Sequence, residues 1–116
     1  MTPFSLWLQI YIEENNLSQA DLCRKTGFDD ATINEHFRGV QSPSRKNIAV
    51  YAKAFNLPID YINEITELYI DQGELITGRD KISRLYKALS LYNKKKLIAY
   101  ADKLLTEQEK TALTNL

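Results

Sequence analysis

Apolar residues recur at three- and four-residue intervals along most of this chain, and the two-residue alternation of a half-buried strand is absent. A first helix is predicted over about Pro3 to Asn15, with Phe4, Leu8 and Tyr11 facing inward. Leu6, Trp7, Ile10 and Ile12 make the same helix apolar on nearly every side, and only Gln9 interrupts the run. Such a helix is covered on more than one face. Two short helices come next. Ser18 is placed to accept from the Asp21 amide and start the first of them, and the acidic Asp21 suits the positive helix end. Leu22 is its inner anchor, and the small Cys23 lets the next helix cross closely. Gly27 supplies a left-handed turn without a Cβ clash. Phe28 then plugs the core and Asp29 caps the second short helix. There Ile33 and Phe37, four residues apart, face inward, and Gly39 ends it. Neither helix is long enough to persist alone in water.

A fourth helix is predicted from Ser42 or Ser44 to Phe55, with Pro43 tolerated in its first turn and Ile48, Ala52 and Phe55 inside. A fifth begins at Pro58, carries Tyr61, Ile62, Ile65, Leu68 and Tyr69, and frays near Gln72–Gly73. Thr77–Gly78 breaks the pattern. Asp80 is expected to cap a sixth helix holding Ile82, Leu85, Tyr86 and Leu89. Ser90 is expected to cap a seventh with Leu97, Ile98, Ala101, Leu104 and Leu105 on one side, and a loose tail follows Lys110. The expected architecture is all-α: one domain over 1–72 and a helical hairpin over 79–112. The hairpin is too small to bury its own apolar stripe, so it must pack on the first domain, a second copy or another protein.

Composition narrows the chemistry. The chain has 116 residues and a single cysteine, so no internal disulfide can form and a reducing cytoplasm is the expected setting. The start, Met1-Thr2-Pro3-Phe4, has no basic n-region and reads as no signal peptide. The longest nearly apolar run, Leu6 to Ile12, is far too short to span a bilayer, so no membrane role is expected. His36 is the only histidine and no Cys/His cluster accompanies it. It reads as a half-buried packing residue, and neither a metal nor a cofactor is expected. No phosphate loop, zinc motif or nucleophile–histidine pattern suggests an enzyme. The run Lys94-Lys95-Lys96 reads as a solvated helix face, and the seven tyrosines as core and interface.

The spacings over 17–39 carry a resemblance. Leu17-Ser18-Gln19, Leu22-Cys23, Gly27-Phe28, Thr32-Ile33 and Phe37-Arg38-Gly39 are similar to the helix-turn-helix of the phage repressor and Cro family, also called the XRE family. The likeness continues through Ser42-Pro43-Ser44, Ile48, Tyr51 to Leu57, and Ile59 to Ile62, and covers about residues 4 to 65. It implies a five-helix, lambda-repressor-like DNA-binding domain. It also implies a dimeric repressor of phage or bacterial origin reading a palindromic operator in double-stranded DNA with the helix around 29–37. The homodimer contact, or a contact with a regulatory protein partner, is expected from Leu6, Trp7 and Ile10 together with Leu85, Leu89, Leu97, Ile98, Leu104 and Leu105.

By the same resemblance, Asp30, Ala31 and Glu35 stand where the recognition helix meets base edges. A carboxylate there can accept from cytosine or adenine amino groups, and alanine can touch a thymine methyl. Thr32 and Asn34 suit groove or phosphate contacts, or ordinary helix surface. Gln19, Arg38, Ser44, Arg45 and Lys46 make a phosphate clamp. The charge is unusual for a DNA binder. Residues 1–65 hold six basic and eight acidic side chains, a net of −2. Three readings of the acidic residues stay open: base readout, helix-start stabilisation with a solvated Glu35, or a surface for a protein. The last is the alternative function, an antirepressor-like or antitoxin-like module.

Overall fold

The computed structural model describes residues 1–114. Seven helices account for most of it: α1 (Pro3–Glu14), α2 (Gln19–Thr26), α3 (Asp30–Arg38), α4 (Arg45–Phe55), α5 (Ile59–Thr66), α6 (Gly78–Ala88) and α7 (Leu91–Thr114). Between α5 and α6 lies a small antiparallel hairpin, β1 (Tyr69–Asp71) with β2 (Glu74–Ile76).

The local signals place the helix ends. Thr2 caps α1 and shares a capping box with Ser5. Ser18 accepts from the Asp21 amide at 3.1 Å while Asp21 accepts from the Ser18 amide at 2.8 Å, which closes the same motif at α2. Arg24 adds an ion pair to Asp21. Asp29 caps α3 and Ser44 caps α4 through the amides of Thr32 and Asn47. Gly27 and Gly39 end α2 and α3 with φ of 79° and 72°.

The chain divides into two units, Met1–Lys81 and Ile82–Leu116. In the first, α1 packs on α3 and α5, α4 packs on α2 and α5, and β2 lies along α1. The core is Phe4, Trp7, Leu8, Leu22, Ile33, Ile48, Tyr51, Ala52, Phe55, Ile62 and Ile65. Burying aromatic and aliphatic groups of this size, each worth about 1.5–3 kcal/mol, is what holds helices as short as α2 and α5.

Four expectations change. The fifth helix stops at Thr66, and the turn at Gln72–Gly73, with φ of 50° and 79°, starts a strand rather than ending a helix. Two successive positive φ angles make the turn that joins tightly paired strands. The hairpin carries the first unit past residue 72, and Ile76 is buried. Thr77, not Asp80, caps α6, because the Asp80 amide donates to Thr77 Oγ1 at 3.1 Å. Helix α7 runs on beyond Lys110, where a loose tail was expected; Asn115 and Leu116 lie outside the described residues.

In the second unit, Ser90 caps α7 as expected. Lys94 Nζ lies 5.1 Å from the centre of the Tyr86 ring, near the junction of α6 and α7. Among the described residues the two helices do not pack along their lengths. No described side chain of this unit is buried, and Ile82, Leu85, Ile98, Leu104 and Leu105 are all exposed. No described helix is long and apolar enough to cross a membrane.

Candidate nucleic-acid interface

Helix α3 has two faces. Ile33 and His36 are buried, and Phe37 is half-buried beside them. Ala31, Asn34, Glu35 and Arg38, at i, i+3, i+4 and i+7, are all exposed and share the opposite face. Of the expected base-reading residues, three therefore stand together. Asp30 is exposed at the first helical position and Thr32 is half-buried, so these two flank the face rather than lie on it. Arg38 closes the face at its C-terminal end.

The starts of α2 and α3 are brought together. Gln19 Nε2 donates to the Asp30 carbonyl at 3.4 Å, and Cys23 Sγ donates to Asp30 Oδ1 at 3.1 Å. The hydrogen bond to Asp30 and burial push the Cys23 thiol pKa up, so the sulfur stays a neutral packing and donor group. The Ser18 amide and hydroxyl hold the carboxyl of Asp21, and the Thr32 hydroxyl and amide hold that of Asp29, below the ordinary carboxylate range, so both are ionised at neutral pH. Three carboxylates, those of Asp29, Asp30 and Glu35, thus border the outward face of α3.

The cations sit beyond its end. Arg38 is followed by Gly39 and by Val40, which is 63% exposed, and then by the loop to Ser44. Ser44, Arg45 and Lys46 are exposed at the start of α4. The Ser44 hydroxyl accepts from the Asn47 amide, which leaves its O–H free to donate to an anion. Exposed guanidinium and ammonium groups at a helix start suit a phosphate.

Two contacts that fix α3 were not legible in the sequence. Gln9 Nε2 donates to the Phe37 carbonyl at 2.9 Å, tying α1 to the last turn of α3. The polar break in an apolar helix was its only signal. His36 Nδ1 shares a 2.7 Å hydrogen bond with the Tyr51 hydroxyl, joining α3 to α4. His36 is buried rather than half-buried, with its ring edge-on to Phe4, Phe28 and Tyr51. Burial lowers its pKa and raises that of Tyr51. Among the described residues no cluster suited to a metal ion occurs.

The expected interface residues separate. Trp7 is only 8% exposed and lies against Phe4, Tyr11, Phe55 and Tyr61, so the first unit's own core covers it and it offers little to a partner. Leu6 is half-buried and Ile10 exposed. In the second unit Leu85, Ile98, Leu104 and Leu105 are exposed, and Leu89 and Leu97 half-buried.

Residues 8–62 match the protein-family model described as Helix-turn-helix. No curated protein and no solved structure matches the chain. The matched span runs from α1 to α5 and contains the whole outward face of α3, and it supports an XRE-type helix-turn-helix regulator.

Proposed function

We propose that the protein is a dimeric transcriptional repressor of bacterial or phage origin, acting in the cytoplasm on a palindromic operator. The observation that carries this is the outward face of α3, where Ala31, Asn34, Glu35 and Arg38 stand exposed together on a helix fixed from behind. Laid in a major groove, Glu35 accepts from a cytosine or adenine amino group, Ala31 meets a thymine methyl, and Asn34 and Arg38 offer donors. Asp30 and Thr32 serve the edges of the same footprint. Gln19 on one side, and Ser44, Arg45 and Lys46 on the other, hold the backbone. Two-fold symmetry comes from the apolar residues of α6 and α7: Leu85, Ile98, Leu104 and Leu105, which are exposed, and Leu89 and Leu97, which are half-buried.

The acidic border of α3 favours a second reading, an antirepressor-like or antitoxin-like module whose α3 meets a basic protein surface. Selection of bound sequences from a random duplex pool, at low and at physiological salt, separates the two. The repressor reading expects an enriched palindrome. It also expects Glu35→Gln to change the preferred base at one symmetric pair of positions, with a discrimination of about 1–3 kcal/mol. No enrichment at either salt would favour the protein-binding module.

A further inference from the structure

The two units carry opposite charge. Residues 1–81 hold eight basic and twelve acidic side chains, a net of −4. Residues 82–116 hold seven basic and three acidic side chains, a net of +4, so the chain as a whole is neutral. The acidic unit is the one with the helix-turn-helix. A DNA-binding domain draws its sequence-independent affinity from cations that displace counterions along the phosphates, and a domain of net negative charge works against that.

The positive charge of the second unit is ordered on α7. Lys96, Lys103 and Lys110 stand seven residues apart, and a seven-residue step drifts by only about 20° around a helix. The three therefore form one row, roughly 20 Å long at 1.5 Å per residue. All three are exposed. Ile98, Ala101 and Leu105 lie on the opposite side, with Leu97 and Leu104 at the edge of that stripe, so the row and the apolar stripe do not compete for the same partner. Tyr92 begins the basic side, with Lys96 Nζ 5.1 Å from its ring centre. Glu107 is the acidic residue on that side; Asp102 and Glu109 fall to its flank.

We propose that this lysine row of α7 binds the phosphate backbone of double-stranded DNA and supplies the electrostatic affinity that the acidic helix-turn-helix unit lacks. The inference rests on the reading of the first unit as a DNA binder. One helix then has two tasks: its apolar side holds a second copy, and its basic side lies along a polyanion. Sequence choice stays with α3, because a phosphate contact positions without reading bases.

The test uses the full chain and measures affinity for a short random-sequence duplex, and for the duplex enriched by selection, across a salt series. Lys96→Gln, Lys103→Gln and Lys110→Gln combined should reduce the slope of log affinity against log salt by about two to three for each chain bound, and by about twice that for a dimer, at about 0.9 for each phosphate no longer neutralised. Binding to the random duplex should fall at least tenfold, with the selected sequence unchanged. The Lys→Arg triple variant, which keeps the charge, should retain the wild-type slope, and circular dichroism should show equal helicity in all three proteins. An unchanged slope in the Gln variant overturns the proposal while leaving the α3 reading intact. An unchanged slope with altered sedimentation would assign the row to the acidic unit of a second copy instead. Wild-type protein that binds no duplex at any salt would overturn both readings together.

Discussion

At the scale of single residues, the buried His36–Tyr51 pair shows how a polar contact can hold a recognition helix. The hydrogen bond satisfies both groups between the rings of Phe4 and Phe28, where an unpaired polar atom would cost about 1–3 kcal/mol. Burial makes the imidazolium unfavourable, and the nearby Glu35 carboxylate offsets this only in part. The folded-state pKa of His36 therefore lies below its ordinary value of 6.5. As pH falls through that value the unfolded chain takes up a proton first. The stability due to neutral His36 is fully present above pH 6.5 and is lost as pH falls toward the folded pKa. Urea unfolding of the wild type should show a midpoint that declines between neutral and mildly acidic pH, with a slope of at most about 1.4 kcal/mol per pH unit. His36→Gln should flatten that decline; a variant with the same slope would assign the pH dependence to other groups.

At the scale of elements, the two glycines that end α2 and α3 do different work. Both have left-handed φ, which costs a residue with a Cβ about 1–2 kcal/mol. A Cβ on Gly27 would meet nothing within 4 Å, so the conformation alone requires glycine there. A Cβ on Gly39 would lie 2.6 Å from Ser5 Oγ and 2.7 Å from both Met1 Cα and the Thr2 amide nitrogen. The start of α1 rests directly on the end of the recognition helix. Gly27→Ala should cost about 1–2 kcal/mol in chemical denaturation. Gly39→Ala should cost clearly more and should also weaken duplex binding, since α1 and the Arg38 end of α3 must move apart. Equal costs would mean that the close approach is easily relieved. The strands between α5 and α6 belong to this scale as well. Each has three residues, too few to show an alternating pattern, and Gln72–Gly73 lacks the Asn or Asp that most often signals such a turn.

At the scale of the whole molecule, the first unit closes on itself and the second does not. Ending the chain after Lys81 keeps Ile76 in place and retains the ion pair of Lys81 Nζ with Asp71 Oδ1 at 3.3 Å, whereas a cut after Gln72 would split the hairpin. The shortened protein should stay folded, sediment as a monomer and bind a palindrome far more weakly, because two half-sites no longer bind as one ligand. Its Trp7 fluorescence should remain that of a buried indole, since Phe4, Tyr11, Phe55 and Tyr61 cover the ring. Full-length protein that is monomeric at high micromolar concentration would remove the dimer from the proposal. The sequence by itself determined the helix starts at Ser18 and Asp29, a fourth start at either Ser42 or Ser44, the breaks at Gly27 and Gly39, and the polar outer face of α3. Each of these depends on groups within about four residues of one another, where chain geometry leaves few choices. Only the tertiary structure decided that Trp7 is core, that Gln9 and Tyr51 hold α3 from behind, and that Ile76 returns to α1. Those contacts join residues far apart in the chain, and no local periodicity records which apolar or polar side chain will meet which.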